Sequence, residues 1–290
     1  MKKFVIIVLT MLMAFQLSIA QEKARSPEAG QAFNQGLDLT KKQKYNEAAA
    51  EFKKAIQADD NFPDAHYMLG YVYKKLNDYT KAEAEYKQAI SLNSKFEEAY
   101  IALAGLLSDM DRVPDAVNTY NAVLAFEPNS AKANFGLGKI YYDQKKYDKA
   151  LPLLENAVKT EPDYVLAYNV LGLTYKGLRR YDEAVSAFEK AISNERRRTS
   201  KGSYYYYMGE TLLVMKKYNQ AEEAFTNAIN STRSNTIKAG SNFHLGEVFR
   251  DTGQKQKALQ YFQIAAKNSS WKQAAEYEID IIKNPDKYVN

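Results

Sequence analysis

The sequence predicts an all-α solenoid in which about seven helix–turn–helix units stack in a row. The first observation behind this prediction is a series of small residues that recurs at regular intervals and widens only at its last two steps. Its members are Gly36, Gly70, Ala104, Gly138, Gly172, Gly209 and Gly246. A glycine inside a helix costs about 1 kcal/mol relative to alanine, so a regular series needs a packing reason. We expect that reason to be the close approach of two backbones.

Three further series keep the same register. Twelve residues after each member comes an alanine: Ala48, Ala82, Ala116, Ala150, Ala184, Ala221 and Ala258. Four residues later comes a large apolar side chain: Phe52, Tyr86, Tyr120, Leu154, Phe188, Phe225 and Phe262. Three residues beyond that comes a small one: Ala55, Ala89, Val123, Ala157, Ala191, Ala228 and Ala265. Spacings of three and four place these residues on one face of a second helix in every unit.

The second unit shows how each element is expected to begin and end. Its helices are predicted over about Pro63–Leu76 and Tyr79–Leu92, with the polar pair Asn77-Asp78 forming the turn. A single unit cannot bury its apolar face, so each must stack on the next. A last helix over Trp271–Lys283, ended by Asn284-Pro285, is predicted to cap the stack, and Asp286–Asn290 to fray. The residues expected to face the last unit are Trp271, Ala274, Ala275, Ile279 and Ile282.

These motifs resemble the tetratricopeptide repeat (TPR), a helix–turn–helix unit of about 34 residues, which is the spacing of the first five members of the series. The Leu-Gly pairs at Leu69, Leu137, Leu171 and Leu245, the tyrosines Tyr73, Tyr141 and Tyr175, and Pro128 and Pro162 match its pattern. The resemblance implies a right-handed superhelical solenoid over residues 29–268, with repeats starting near 29, 63, 97, 131, 165, 202 and 239, and a capping segment over 269–290. The chain departs from the pattern at Ala104, at Val113 and where Asp60, Ser94 and Arg196 replace the closing proline. The two wider spacings predict longer loops near Arg196–Gly202 and Ser231–Lys238.

The first 20 residues have the features of a secretory signal peptide. Lys2 and Lys3 precede an apolar stretch, and small residues at Ser18 and Ala20 predict cleavage before Gln21. An uncleaved membrane anchor is the alternative, but the stretch is shorter than the ~20 residues that a spanning helix needs. We therefore expect a leader over 21–28, export to the periplasm or secretion, and no membrane span after cleavage.

Composition and motifs argue against an enzyme. The formal net charge is +5, and Lys2 and Lys3 lie in the predicted signal peptide, so the mature chain carries too little positive charge to indicate nucleic acid. The chain has no cysteine, which excludes disulfides and thiolate chemistry. The two histidines, His66 and His244, lie in distant repeats and are expected to be structural. We predict no catalytic residues, no metal site and no cofactor.

In the resembled family the first helices line a concave groove that holds partner segments. The lining positions fall three before, one after and four after the glycine. They are Tyr67, Tyr71, Lys74, Phe135, Lys139, Tyr142, Asn169, Leu173, Lys176, Tyr206, Glu210, Leu213, Phe243, Glu247 and Arg250, with Ile101, Gly105 and Ser108 in repeat three. This predicts an aromatic groove with scattered cations. The alternative is that the aromatics three before the glycine are packing residues. A second contact for an acidic partner, or only a solvated loop, is predicted at Arg196–Arg198 with Lys201.

The favoured function is a protein–protein scaffold in a bacterial cell envelope, with a protein or peptide partner. One alternative is a carbohydrate- or peptidoglycan-binding module that stacks sugars on Tyr67, Tyr71 and Tyr142. An accessory domain of an enzyme is a third hypothesis, which the lack of a nucleophile–base pair disfavours. Self-association through the first helix, which carries Phe33 and Leu37, remains open.

Overall fold

The computed structural model describes residues 26–288, so the predicted signal peptide and most of the leader lie outside the described residues. Within that range the chain forms fifteen α-helices and no strand. The helices are α1 Pro27–Lys41, α2 Tyr45–Ala58, α3 Pro63–Lys75, α4 Tyr79–Leu92, α5 Glu97–Asp109, α6 Val113–Phe126, α7 Ala131–Asp143, α8 Tyr147–Thr160, α9 Val165–Gly177, α10 Tyr181–Asn194, α11 Lys201–Val214, α12 Tyr218–Asn230, α13 Asn235–Asp251, α14 Lys255–Ala265 and α15 Lys272–Lys283. Short 3₁₀ turns span Arg198–Ser200 and Pro285–Tyr288. None of the described helices is long and apolar enough to cross a membrane. The prediction of an all-α solenoid of helix pairs is confirmed.

The described residues divide into two compact units, one ending at Thr119 and the other beginning at Tyr120, so the division falls inside α6. In the first unit α1 pairs with α2 and α3 with α4, while α2 packs on α3 and α4 on α5. In the second unit α7, α9, α11 and α13 each pair with the helix that follows, and each pair packs on the next. The apolar faces identified by the periodic series are therefore buried both within and between repeats.

The turn inside every repeat contains one residue in the left-handed conformation. These residues follow the glycine series at a fixed offset: Gln43, Asn77, Asp111, Lys145, Arg179, Lys216 and Gly253. Each ends the first helix, because a left-handed residue lets the chain reverse while its neighbours bond the last helical carbonyls. Most second helices then begin at a tyrosine, as at Tyr79 and Tyr181. Only the last of the seven left-handed residues is a glycine. Asn77 and Asp111 are residue types that tolerate this conformation, whereas it is unfavourable for Gln43, Lys145, Arg179 and Lys216.

The glycine series has a different packing reason from the one we expected. A Cβ placed on Gly172 would lie 2.7 Å from the ring of Phe188, and one on Gly209 would lie 2.7 Å from the ring of Phe225. Both rings are fully buried. The close approach is therefore between the first helix and a large side chain of the second helix of the same repeat, not between two backbones.

The two wider spacings are accommodated in different ways. After α10 the chain forms an irregular segment with a 3₁₀ turn at Arg198–Ser200, close to the predicted loop. After α12, however, the second half of the predicted loop near Ser231–Lys238 is helical, because α13 begins at Asn235 and extends over 17 residues. The side chain of Ser234 accepts a hydrogen bond from the backbone N–H of Ile237 and caps this earlier start.

The C-terminal helix covers the core of the last repeat. Ala275 is fully buried, and Trp271, Ile279 and Ile282 pack against the core that contains Phe262. The predicted contact of Ala274 is wrong, because this residue is exposed. The tail that we expected to fray forms a 3₁₀ turn as far as Tyr288, in which Lys287 and Tyr288 both donate hydrogen bonds to Asp280.

Candidate partner-binding face

The predicted lining positions belong to the first helices of the repeats, and we call them the first-helix face. The aromatic side chains at the position three residues before the glycine pack against other repeats and second helices. Tyr67 lies 5.9 Å from Tyr86 and 5.4 Å from Phe96, and Phe135 lies 4.9 Å from Tyr164, as centroid distances. These contacts favour the alternative in which such aromatics are half-buried between repeats.

The same position in the last two repeats is filled by Tyr206 and Phe243. Tyr206 contacts the ring of Phe225 edge-on at 6.1 Å. Phe243 lies 5.0 Å from the indole of Trp271 and is only 8% exposed. Phe243 is therefore a core residue and not a residue of the first-helix face.

Repeat two carries an open cleft on this face. Its volume is about 410 Å³, and its walls include Tyr71, Lys75, Tyr79 and Ala102. Tyr71 is half-buried, and the ammonium of Lys75 lies 5.3 Å from its ring centroid. Among the described residues Lys75 has no recorded ion pair. We call these four residues the Tyr71 cleft; it offers two aromatic rings and an uncommitted cation.

The cations predicted for this face are engaged inside the molecule. Lys74 Nζ lies 2.7 Å from Asp109 Oδ2 in the first helix of the next repeat. Lys139 pairs with Asp143 on its own helix. Arg250 pairs with Glu278 of the capping helix and with Asp251. These cations are therefore neutralised by nearby carboxylates.

Repeats five to seven hold a chain of charges across three first helices. Lys176 Nζ lies 2.6 Å from Glu210 Oε2. The other oxygen of Glu210 lies 3.6 Å from His244 Nε2, and His244 Nδ1 lies 2.5 Å from Glu247 Oε2. Tyr206 Oη lies 3.2 Å from the same His244 Nε2. We call Lys176, Tyr206, Glu210, His244 and Glu247 the charge ladder.

The ladder changes the acidity of its members. Burial opposes ionisation of Glu210, but contacts with His244 and Lys176 outweigh it and lower its pKa to about 2. Burial also opposes protonation of His244, yet the carboxylates of Glu210 and Glu247 raise its pKa above the ordinary value. For Tyr206, burial and then the charge of Glu210 raise the pKa. The ladder is thus built around an ionised Glu210 and a histidine that is easily protonated.

Aromatic packing holds His244 in place. Its ring is stacked on Phe225 at 5.2 Å and meets the indole of Trp271 edge-on at 5.5 Å. A backbone without a side chain at Gly240 lets Trp271 approach, since a Cβ there would lie 2.8 Å from the indole. His244 is therefore structural, as expected, but it also links repeats six and seven electrostatically.

Tyr142, Asn169 and Ser108 are further predicted residues, on the first helices of repeats four, five and three. Tyr142 is half-buried, its ring lies 5.8 Å from that of Tyr147, and burial is the main reason that its pKa is raised. The side-chain carbonyl of Asn169 and the hydroxyl of Ser108 are buried and have no hydrogen-bond partner among the described residues. Leaving such a group unpaired costs about 1–3 kcal/mol. A partner or water that bonds to Asn169 would remove that cost.

Sequence reasoning missed the ladder although a signal was present. Lys176, Glu210 and His244 keep the shorter, regular spacing of the early repeats, whereas the glycines in the same region are more widely spaced. From one repeat to the next, each of these charged residues therefore lies about one helical turn earlier relative to the glycine of its repeat. This keeps the three side chains close enough to contact one another. Within residues 26–288 no group of histidines and carboxylates is arranged to hold a metal ion.

Comparison with known families is consistent with the repeat geometry. A model described as TPR repeat matches residues 36–77, and one described as tetratricopeptide repeat matches residues 63–96. A third, described as subunit 3 of the anaphase-promoting complex, or cyclosome, matches residues 109–191. The chain is a tetratricopeptide-repeat protein. TPR proteins bind protein or peptide partners and are generally non-catalytic, so the fold supports a protein–protein interaction scaffold.

Solved structures share the fold of this TPR protein. The C-terminal part of a TPR protein from Cytophaga hutchinsonii is similar with a TM-score of 0.66 and 16% identity, over 85% of this chain and 99% of that one. A TPR protein from Parabacteroides merdae is similar with a TM-score of 0.58 and 18% identity, over 89% of this chain and 100% of that one. PilW, a type IV pilus biogenesis factor, is similar with a TM-score of 0.60 and 17% identity, over 78% of this chain and 99% of that one. Among curated proteins, none matches the sequence.

Proposed function

We propose that this TPR protein is a scaffold of the bacterial cell envelope that binds a segment of a partner protein on its first-helix face. The Tyr71 cleft is the main anchor, and Tyr142, which belongs to the second compact unit, is a separate predicted contact. The observation that carries the proposal is the cleft itself: two tyrosines and an unpaired lysine border an open volume of about 410 Å³. Buried aromatic anchors beside a cation are typical of protein interfaces.

The chemistry of the cleft indicates the kind of segment it takes. A bulky apolar side chain would fit against Tyr71 and Tyr79, and a carboxylate beside it would pair with Lys75. Lys74 contributes less, because Asp109 already neutralises it. The expected partner segment therefore carries an aromatic or aliphatic residue next to an acidic one.

The envelope location is supported by the predicted signal peptide at residues 1–20. PilW, which shares the fold, is a pilus biogenesis factor, and this similarity is consistent with an envelope setting. Fractionation of the native cell should recover the protein in the envelope, with a mature chain that begins at Gln21. A cytosolic protein that retains its first residue would overturn this part of the proposal.

The sugar-binding alternative is weaker. It requires several tyrosines on the first-helix face to present a flat ring surface. Tyr67 packs against Tyr86 and Phe96, so its ring faces protein. Tyr71 has Lys75 beside its ring. Sedimentation with insoluble cell wall tests this alternative, and loss of sedimentation in a folded Tyr71→Ala variant would favour it.

The binding proposal is tested by a crosslinking pull-down from the native envelope with wild type and Tyr71→Ala/Tyr142→Ala. We expect one specific partner to be captured by wild type and lost by the double variant. The matched control is Tyr277→Ala, because Tyr277 is 55% exposed on the capping helix and lies outside the first-helix face. Circular dichroism establishes that each variant is folded. Equal capture by the double variant would place the partner elsewhere.

A further inference from the structure

A second cleft lies at the junction of repeats five and six, away from the first-helix face. Its volume is about 840 Å³. It is bounded by the start of α9, the end of α10 and the irregular segment before α11. The residues used below are Glu161, Asp163, Leu166, Arg196, Arg197 and Tyr204, and we call them the junction cleft.

The irregular segment beside the cleft is fixed by hydrogen bonds. The guanidinium of Arg198 donates to the carbonyl of Asn230 at 2.9 Å, and the N–H of Gly202 donates to the carbonyl of Ser231 at 3.1 Å. A Cβ on Gly202 would lie 2.7 Å from that same carbonyl oxygen, so the backbone at the start of α11 meets the backbone that follows α12, within repeat six. The backbone of the irregular segment is therefore anchored to repeat six.

One wall of the cleft is apolar and exposed. Leu166 is 54% exposed and lies in the first turn of α9. Tyr204, which lines the same cleft, is almost fully buried. Covering the leucine with an apolar side chain would remove its surface from water, which is favourable at roughly 25 cal/mol per Å².

The other wall is basic. The side chain of Arg197 is 81% exposed, and its only recorded ion pair among the described residues, with Glu195, has a long N–O distance of 3.6 Å. Arg196 is exposed and has no recorded ion pair in the same part of the chain. Two exposed guanidinium groups that lack a strong partner are suited to carboxylates, which arginine can bind through two parallel hydrogen bonds.

We infer that the junction cleft is a second binding site, for an acidic protein segment that carries one bulky apolar side chain. The apolar side chain covers Leu166, and neighbouring carboxylates pair with Arg196 and Arg197. Glu161 and Asp163 line the cleft near α9, and Glu195 lines it beside Arg197. These three carboxylates repel a continuous polyanion such as nucleic acid or an anionic membrane, whereas a peptide can place its acids at the arginines only. This site would let the scaffold hold two segments at once.

The test uses a fluorescein-labelled synthetic peptide in which one phenylalanine is followed by two glutamates, and measures its binding to the full mature chain by anisotropy. We expect saturable binding that weakens roughly tenfold in Arg196→Ala/Arg197→Ala, the scale of one lost charge-assisted hydrogen bond. Leu166→Ser should weaken it as well. Arg233→Ala is the matched control, because Arg233 is an exposed arginine in the corresponding segment after repeat six.

Several outcomes would overturn the inference. Absence of binding to the wild type is one, and equal weakening by Arg233→Ala, which would indicate non-specific charge attraction, is another. Tighter binding to vesicles containing anionic lipid or to single-stranded DNA than to the peptide would show that the cleft prefers a polyanion. Binding that is lost in Tyr71→Ala/Tyr142→Ala would place the peptide on the first-helix face instead. Retained binding in that variant keeps this site independent of the proposed function.

Discussion

Repeat two and repeats five to seven differ in how they use the side chains near the glycine of the first helix. In repeat two these positions leave a cleft beside Tyr71, and the nearby Lys75 has no recorded ion pair among the described residues. In repeats five to seven they are occupied by the charge ladder, in which Glu210 contacts both Lys176 and His244. The first arrangement leaves groups available to a partner, and the second uses them to join neighbouring repeats.

This difference indicates that binding and stability depend on different parts of the molecule. The ladder spans the two junctions at which the regular period is broken, between repeats five and six and between six and seven. The wider glycine spacing at these junctions shifts the sequence of each first helix relative to the early repeats. Lys176, Glu210 and His244 keep the shorter spacing and link the three first helices through their side chains. We therefore expect changes in the ladder to affect folding, and changes in the Tyr71 cleft to affect binding.

The largest expected effect is that of Glu210→Ala. This variant leaves Lys176 and His244 without their shared carboxylate in a partly buried setting, and we expect a loss of about 1–3 kcal/mol in the free energy of unfolding. Urea denaturation measures it. The matched control is Glu183→Ala, which removes a carboxylate that pairs with Arg180 at an exposed position. Equal losses in the two variants would show that the ladder has no special role.

Gly172→Ala should cause the next largest loss in the free energy of unfolding. Its new methyl group would meet the fully buried ring of Phe188. Overpacking costs about 1–3 kcal/mol, and the better helix propensity of alanine returns about 1, so we expect a net loss of up to about 2 kcal/mol.

The control for this substitution is Gly30→Ala. A Cβ added at Gly30, in α1, would meet no atom within 4 Å, so the helix propensity alone should act and stabilise the chain. Thermal unfolding of both variants decides the matter. A stabilised Gly172→Ala variant would contradict the packing role of the glycine series.

The pH dependence of stability follows from the ladder. His244 has a raised pKa in the folded state, so its contribution is complete below the unfolded value of about 6.5 and is lost as pH rises through the folded value. Glu210, whose pKa is lowered to about 2 in the folded state, contributes fully above its unfolded pKa and loses that contribution progressively as pH falls from the unfolded value to about 2. The two effects together favour mildly acidic conditions.

Urea denaturation across pH measures this effect. Above pH 6.5 the unfolding free energy of wild type should fall with a slope of at most about 1.4 kcal/mol per pH unit from this single group. His244→Gln should remove that part of the slope. A variant with the same slope as wild type would show that His244 does not titrate differently in the folded state.

The smallest expected effect concerns the turns. Lys145 has a φ of 58°, which disfavours a residue with a side chain, so Lys145→Gly should stabilise the chain by roughly 0.5–1 kcal/mol. Gly253, with a φ of 78°, occupies the same place in the last repeat, and Gly253→Ala should destabilise by a similar amount. Melting temperatures of the pair test this, and shifts in the same direction would contradict it.

The helices were predictable because their signal is local. The second helix of repeat two was predicted over Tyr79–Leu92 and is observed there, and the first ends one residue earlier than expected. The buried series that contains Phe188 was identified by spacing alone. The early start of α13 was missed, because the cap at Ser234 stands in a segment that otherwise resembles a loop.

The site was less predictable because it depends on contacts between repeats. Spacing placed Lys176 and Glu210 on the first-helix face but did not show that they bond to each other. Phe243 was expected on the same face and is buried, because Trp271 of the next element covers it. Which residues on a repeated face remain open is decided by their neighbours in three dimensions, and one repeat viewed alone does not contain that information.

Photo-crosslinking from single positions in the native envelope tests whether the Tyr71 cleft binds the partner. A photoreactive phenylalanine analogue would replace Tyr71, Glu210 or, as a control on an exposed second-helix surface, Lys190. We expect a specific protein adduct from position 71, and none from positions 210 and 190. A specific adduct from position 210 with none from position 71 would contradict this expectation, and would place the partner on the charge ladder.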